Sequence, residues 1–156
     1  AGGFYFSCRF AITTTVATQI IFIGLSATTG AIAGSTNPST LANTVGFAKR
    51  TGDTNMQFLT RNAATATLVD LGASFPGTTI TTDVYECRMF IVRGATTIKY
   101  SIERLNLTPG TLVEGSQTLT LPVANTLLCP QIYVSNGVTA SAASIDIINC
   151  YIETDI

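Results

Sequence analysis

The sequence predicts an all-β domain, a two-sheet antiparallel β-sandwich of jelly-roll type, and three observations carry that reading. Apolar residues alternate with period two through many short segments, the spacing that sends successive side chains to opposite faces of a strand. Those segments recur roughly every ten residues between turn signals, the rhythm of a sandwich rather than of βαβ units. No window sustains the i, i+3, i+4, i+7 stripe of an amphipathic helix. At 156 residues the chain, 1–156, is sized for one domain, and such a domain hides roughly 70% of the surface its unfolded chain exposes.

The elements follow in order. Over 4–12, Phe4, Phe6, Cys8, Phe10 and Ile12 share one face and Tyr5, Ser7, Arg9 and Ala11 the other, so the first set is expected in the core. After a turn at 13–16, the unbroken apolar run inside 18–27 predicts a strand buried on both faces. Residues 28–35, rich in Gly, Ala, Ser and Thr, read as a loop. Residues 37–43 allow one short helical turn with Pro38 at its start. Strands at 44–50 and 55–61 are joined by Thr51-Gly52-Asp53-Thr54, whose Gly and Asp suit a tight hairpin. A strand at 65–71 leads into 72–82, which carries the Pro76-Gly77 turn pair. The longest hairpin pairs 84–92 with 96–106, and here Tyr85, Cys87, Met89 and Ile91 alternate against Glu86, Arg88 and Phe90. The last strands are expected at 117–121, 128–135 and 144–153, with Asn136-Gly137 as a turn.

Composition narrows the partners. Hydrophobic residues make up 46% of the chain and charged residues only 11%, against about 25% charged in an average domain. Thr, Ser, Asn and Gln must therefore cover the surface, and Thr packs well on a pleated sheet. A net charge of -1 and a pI near 5.2 provide none of the clustered basic charge that nucleic acid requires. So weak a charge also removes the self-repulsion that keeps proteins apart, which suits a subunit in an assembly and predicts a homo-oligomer. The longest apolar stretch, Ile20 to Leu25, is far too short to span a bilayer as a helix. The beginning Ala1-Gly2-Gly3-Phe4 has no basic n-region and no initiator Met, and reads as a processed end or an excerpt of a longer chain.

Catalysis finds little support. Histidine is absent, which removes the commonest general base, the common nucleophile arrangements and the commonest zinc ligand. A glycosidase would need two carboxylates across a cleft, and the pairs on offer, Asp83 with Glu86 and Glu103 beside Arg104, read as turn capping and exposed strand charge. Asp53 and Asn55 resemble the start of a calcium loop without its remaining oxygen ligands. The glycines sit at turns and frame no phosphate site, and no cofactor is expected. The four cysteines, Cys8, Cys87, Cys129 and Cys150, form no C-x-x-C motif. They read as buried free thiols, as disulfides within or between subunits, or as metal ligands; among disulfides Cys8 with Cys150 is preferred, because the terminal strands of sandwiches often lie side by side. The chain has no Trp, and its tyrosines, Tyr5, Tyr85, Tyr100, Tyr133 and Tyr151, fall within alternating strands, so core or interface packing is expected before sugar stacking.

Taken together, Gly52-Asp53-Thr54-Asn55-Met56-Gln57, Val69-Asp70-Leu71-Gly72-Ala73-Ser74-Phe75-Pro76, Thr82-Asp83-Val84-Tyr85-Glu86 and Tyr151-Ile152-Glu153-Thr154-Asp155 form an ordered set. With Asn37-Pro38-Ser39-Thr40-Leu41-Ala42-Asn43 and Arg104-Leu105-Asn106, this set resembles a C-terminal β-sandwich domain recurrent in tailed-bacteriophage structural proteins of tail-fibre and head-fibre type. The resemblance implies a non-enzymatic, lectin-like or jelly-roll virion module on the particle surface. Its implied partners are other virion subunits and a glycan or protein of the host surface, and it supplies no catalytic residues. The cysteines depart from the family pattern, which raises disulfides formed outside a reducing cytoplasm. Loops 28–35 and 72–82 are the expected recognition elements. Two alternatives stand beside this reading: a purely architectural capsid or tail cement protein, and a secreted carbohydrate-binding module.

Overall fold

The computed structural model describes residues 2–78, 82–107 and 109–154. Among them run ten strands and one 3-10 turn: β1 Phe4–Thr14, β2 Ile20–Ser26, the turn Pro38–Thr40, β3 Thr44–Lys49, β4 Gln57–Arg61, β5 Ala66–Asp70, β6 Val84–Ile91, β7 Ile98–Arg104, β8 Thr111–Gln117, β9 Cys129–Ser135 and β10 Ser144–Thr154. They form two antiparallel five-stranded sheets. Sheet I has the order β10-β1-β6-β7-β8 and sheet II the order β5-β4-β3-β2-β9. The terminal strands β1 and β10 lie side by side as expected.

Alternation decides what lies between the sheets. Phe6, Cys8, Phe10 and Ile12 of β1, Tyr85, Cys87 and Met89 of β6, and Ile98, Tyr100 and Ile102 of β7 face Ile21, Ile23 and Leu25 of β2, Val45 and Phe47 of β3 and Phe58 of β4 in one core. The Tyr100 ring of sheet I stacks on Phe58 of sheet II, with centroids 3.9 Å apart and planes at 16°. At one end of this core stands Lys49, fully buried. Its Nζ donates to the carbonyls of Gln19 at 2.6 Å, Arg50 at 3.2 Å and Ala17 at 3.4 Å, the partners a buried cation needs.

Every residue of β2 is buried, as the unbroken apolar run predicts. The outer side of that burial is a second cluster, Phe22, Ala48 and Leu59, with Tyr133 and Leu68 against it. Segment 27–43 folds back along this face and is tied to it through its backbone, while most residues of the loop 28–35 remain exposed. Alternate residues of β9 clamp it. The Cys129 thiol donates to the carbonyls of Ser26 and Thr28 at 3.2 and 3.3 Å, Gln131 Nε2 to Thr28, Tyr133 Oη to Ala33 at 2.7 Å and Ser135 Oγ to Gly34. Arg61 of β4 fixes the far side by donating to the Ser39 carbonyl at 2.9 Å. Within the segment, Asn37 Oδ1 accepts from the Ser39 amide at 3.1 Å and caps the 3-10 turn, which is shorter than the expected 37–43.

The strand expected at 117–121 is displaced. β8 occupies Thr111–Gln117, and 118–128 crosses from sheet I to sheet II as a strap. The crossing is pinned at Thr120, which adopts φ 52, a rare conformation for a β-branched residue. Its hydroxyl donates to the Thr60 carbonyl at 3.0 Å and to Thr67 at 2.9 Å, while Thr60 Oγ1 donates to Leu119 at 2.9 Å.

Candidate functional site

The face of sheet I turned away from the core is built by the opposite parity of the same strands. β1 contributes Tyr5, Ser7 and Arg9, and β6 Glu86, Arg88 and Phe90. Register then sets them in rows. Tyr5 lies opposite Phe90, which lies opposite Lys99; Ser7 lies opposite Arg88 and Tyr151, and Arg88 opposite Ser101. No segment is hydrogen-bonded over these rows among the described residues. Phe90 is 45% and Tyr151 50% exposed.

Two features give this face chemical definition. Tyr5 and Tyr151 stand with ring centroids 6.1 Å apart and planes at 54°, so their faces form an angled apolar wall. Beside Tyr5 and Phe90 runs a shallow groove of about 210 Å³ lined also by Arg88, Lys99, Ser101 and Glu114. Of its charges Arg88 is held from outside the groove: Glu86 receives Arg88 at 2.8 Å and Arg9 at 3.1 Å, and Arg88 reaches Glu103 at 3.9 Å. Tyr151 Oη donates to Glu153 at 3.0 Å, and that carboxylate raises the phenol's pKa above its ordinary value. An apolar ring surface next to fixed donors and acceptors can take a ligand with C–H faces and hydroxyl edges.

A second concavity, about 670 Å³, opens at one end of the sandwich beneath the strap, lined by Phe4, Leu25, Val45, Ile98, Leu121 and Leu128 with Thr118, Asn125 and Thr126. Its lining carries no charged side chain among the described residues. It has space, but little to orient a polar ligand.

The residues singled out by sequence fall in different places. Asp83 is not a turn cap: it is buried, 2.7 Å from Arg104 Nη2, and accepts from Tyr85 Oη at 3.2 Å and Asn106 Nδ2 at 2.8 Å. Glu86 lies on the outer face, so the two carboxylates share no cleft, and Glu103 and Arg104 likewise point to opposite sides of β7. Asp53 is taken up by Arg50, whose Nε and Nη2 both donate to it at 2.9 Å, and Asn55 donates to Asp70 at 3.0 Å. Among the described residues no three of the Cys, Asp and Glu side chains group as metal ligands. Of loop 72–82, residues 79–81 lie outside the described residues; Phe75 is buried and the Pro76 carbonyl accepts from Tyr85 Oη at 2.9 Å.

The tyrosines divide. Tyr85 and Tyr100 are core residues, whereas Tyr5, Tyr133 and Tyr151 lie on outer faces, so the core half of the expected core or interface packing holds for two of the five. The signal was in the alternation itself, since Tyr5 and Phe90 carry the parity opposite to the core. All four cysteines are free thiols. Cys8 lies directly opposite Cys150 on one side and Cys87 on the other, while Cys129 belongs to sheet II.

No protein-family model matches the sequence, and no curated protein matches it. Solved structures do share its fold. Lectin UEA-II, complexed with galactose, superposes with a TM-score of 0.65 at 10% identity over 100% of this chain and 73% of its own. Arcelin-5, a lectin-like defense protein from Phaseolus vulgaris, gives 0.65 at 9% identity, covering 99% of this chain and 72% of its own. Peanut lectin, solved with a nine-residue peptide, gives 0.62 at 12% identity over 99% of this chain and 72% of its own. The chain has the two-sheet sandwich fold of these lectins.

Proposed function

We propose that this domain is a non-enzymatic carbohydrate-binding module, and that the saccharide lies on the outer face of sheet I. The observation that carries the reading is the half-buried Tyr5 with the exposed Tyr151 and Phe90, set beside Arg88, which Glu86 holds in place, and the further charges of Lys99 and Glu114. Pyranose C–H faces would stack on the rings, and hydroxyls would exchange hydrogen bonds with Arg88, already held by Glu86, and with Lys99 and Glu114, the charge-assisted kind that is the stronger. The lectin-like fold supports the class of ligand. The absence of histidine and the capture of Asp53, Asp83 and Glu86 by guanidinium groups support binding without catalysis.

A glycan array followed by calorimetry on the best ligand tests this. The intact domain is expected to bind a defined glycan, and the Tyr5→Ala/Tyr151→Ala variant to lose at least tenfold in affinity while keeping its melting temperature within a few degrees. Unchanged affinity in that variant would move the site elsewhere; no binding by the intact domain would overturn the reading.

The ordered segments that resemble bacteriophage structural proteins support a further proposal about setting: the domain is displayed on a virion and meets host-surface glycan there. Deleting it from such a particle should reduce adsorption. Loss of particle stability with adsorption intact would favour the architectural cement reading instead.

A further inference from the structure

Three of the four cysteines form a row across adjacent strands of sheet I, Cys150 on β10, Cys8 on β1 and Cys87 on β6. Directly opposed residues on antiparallel strands have Cα atoms about 4.5–5.5 Å apart, inside the window of about 4.4–6.8 Å that a disulfide spans. Exposure is graded along the row: Cys150 is exposed, Cys8 is 1% and Cys87 0% exposed. Only the outermost thiol can meet a reagent from solution, and only Cys8 can meet both of the others.

We propose that Cys150 and Cys8 form a reversible dithiol site for small-molecule disulfides of the glutathione type, closing an intramolecular bond between the two terminal strands. In the first step the Cys150 thiolate attacks one sulfur of the reagent disulfide. A mixed disulfide forms on Cys150, and one reagent thiol leaves with the proton. In the second step the Cys8 thiolate attacks Cys150 Sγ and expels the second reagent thiol. Two protein thiols are oxidised by two electrons, and one reagent disulfide is reduced to two thiols.

Exposure rather than acidity fits Cys150 for the first step, because partial burial and the neighbouring Cys8 raise its thiol above the ordinary value; the rest of the row suits the second. Contact with the Cys87 thiol lowers the Cys8 value, burial opposes it, and contact with Cys150 adds to the lowering, so Cys8 is the member of the row best able to act as the resolving thiolate. Burial pushes Cys87 well up, and its thiol donates to the Cys8 carbonyl at 3.3 Å; it stays a thiol. Cys129, on the other sheet and donating to two carbonyls, is the internal control.

The folded domain is treated with oxidised glutathione, its thiols are counted, and the unreduced protein is mapped by mass spectrometry. The expected result is a fall from four thiols to two, release of two reduced glutathiones, a single Cys8–Cys150 linkage, and a melting temperature raised by about 5 °C or more, since the bond closes nearly the whole chain. Cys8→Ser should stop at a glutathionylated Cys150, and Cys150→Ser should leave every remaining thiol unmodified. A mixed disulfide that persists on the unaltered protein, a Cys8–Cys87 linkage, or a Cys150-linked dimer would each overturn the proposal. The map of the unaltered chain decides even where a variant fails to fold.

Discussion

The two outer faces of this sandwich are built by the same alternation and treated in opposite ways. On sheet II the outward positions include Phe22, Gly24, Ser26, Thr44, Gly46, Ala48 and Leu59, and all of them are small or apolar groups drawn into a buried layer against segment 27–43 and its neighbours. On sheet I the outward positions include Tyr5, Arg9, Arg88, Phe90, Lys99 and Tyr151; Arg9, Phe90, Lys99 and Tyr151 are exposed, and Tyr5 and Arg88 partly so. The difference teaches where to look for function. A face that a protein covers with its own chain serves stability, whereas exposed aromatic rings among ordered charges are surface left available to a partner.

The covered face should be the fragile one, and Gly24 is its most sensitive point. Gly24 and Gly46 are directly opposed, and their backbones approach so closely that a β-carbon on Gly24 would meet the Val45 carbonyl oxygen and stand 2.6 Å from Gly46 Cα. Neither contact is with a flexible side chain that could yield. Gly24→Ala is expected to cost about 3 kcal/mol, the upper range of overpacking effects. Denaturant titration measures it, and a loss under 1 kcal/mol would remove the claim that this layer is held by backbone approach.

A smaller effect separates clamp from cover. Tyr133 Oη donates to the Ala33 carbonyl at 2.7 Å, while Tyr133 lies opposite Phe22 and packs against its cluster. Tyr133→Phe keeps the ring and deletes only the bond, so the expected cost is about 1 kcal/mol, the usual net worth of one hydrogen bond. Hydrogen exchange should show faster opening in 28–36 with the strands of sheet II unchanged. Uniformly faster exchange across sheet II would mean that the segment and the sheet are a single cooperative unit.

Parts of this contrast were legible in the sequence. The core parity of β1 and of the β6–β7 hairpin, and the two-sided burial of β2, follow from hydrophobic spacing because packing rewards that spacing directly. β8 was not legible. Gly115 sits in its middle against the Tyr100 ring, where a β-carbon would clash, and so reads as a turn, while Leu119 and Leu121 in the strap imitate a strand. The closure of 27–43 over sheet II was hidden for another reason: β9 holds it through backbone carbonyls, which every residue type offers alike. The thiol row was half visible: neighbouring terminal strands point to Cys8 with Cys150, which lie opposite each other, but the register that also sets Cys87 opposite Cys8 depends on long-range pairing that local patterning does not specify.

The smallest expected effect lies on the open face, and its size is informative. Glu86 receives both Arg9 and Arg88, at 3.1 and 2.8 Å, with side-chain exposures of 43% and 36% for the two arginines. Ion pairs this exposed contribute about 0–1 kcal/mol and are screened by salt. Glu86→Gln should therefore change the unfolding free energy by about 0.5 kcal/mol or less, and by nothing measurable at high salt. Its consequence for function should be larger than its consequence for the fold. With the carboxylate gone, Arg88 retains only the distant Glu103 at 3.9 Å and is free to leave the groove beside Tyr5 and Phe90, so glycan affinity should fall severalfold while stability holds. Were stability to fall by more than about 1 kcal/mol instead, beyond the range of exposed pairs, the charges of sheet I would be part of what holds the sandwich together, and the division between a structural face and a functional one would fail.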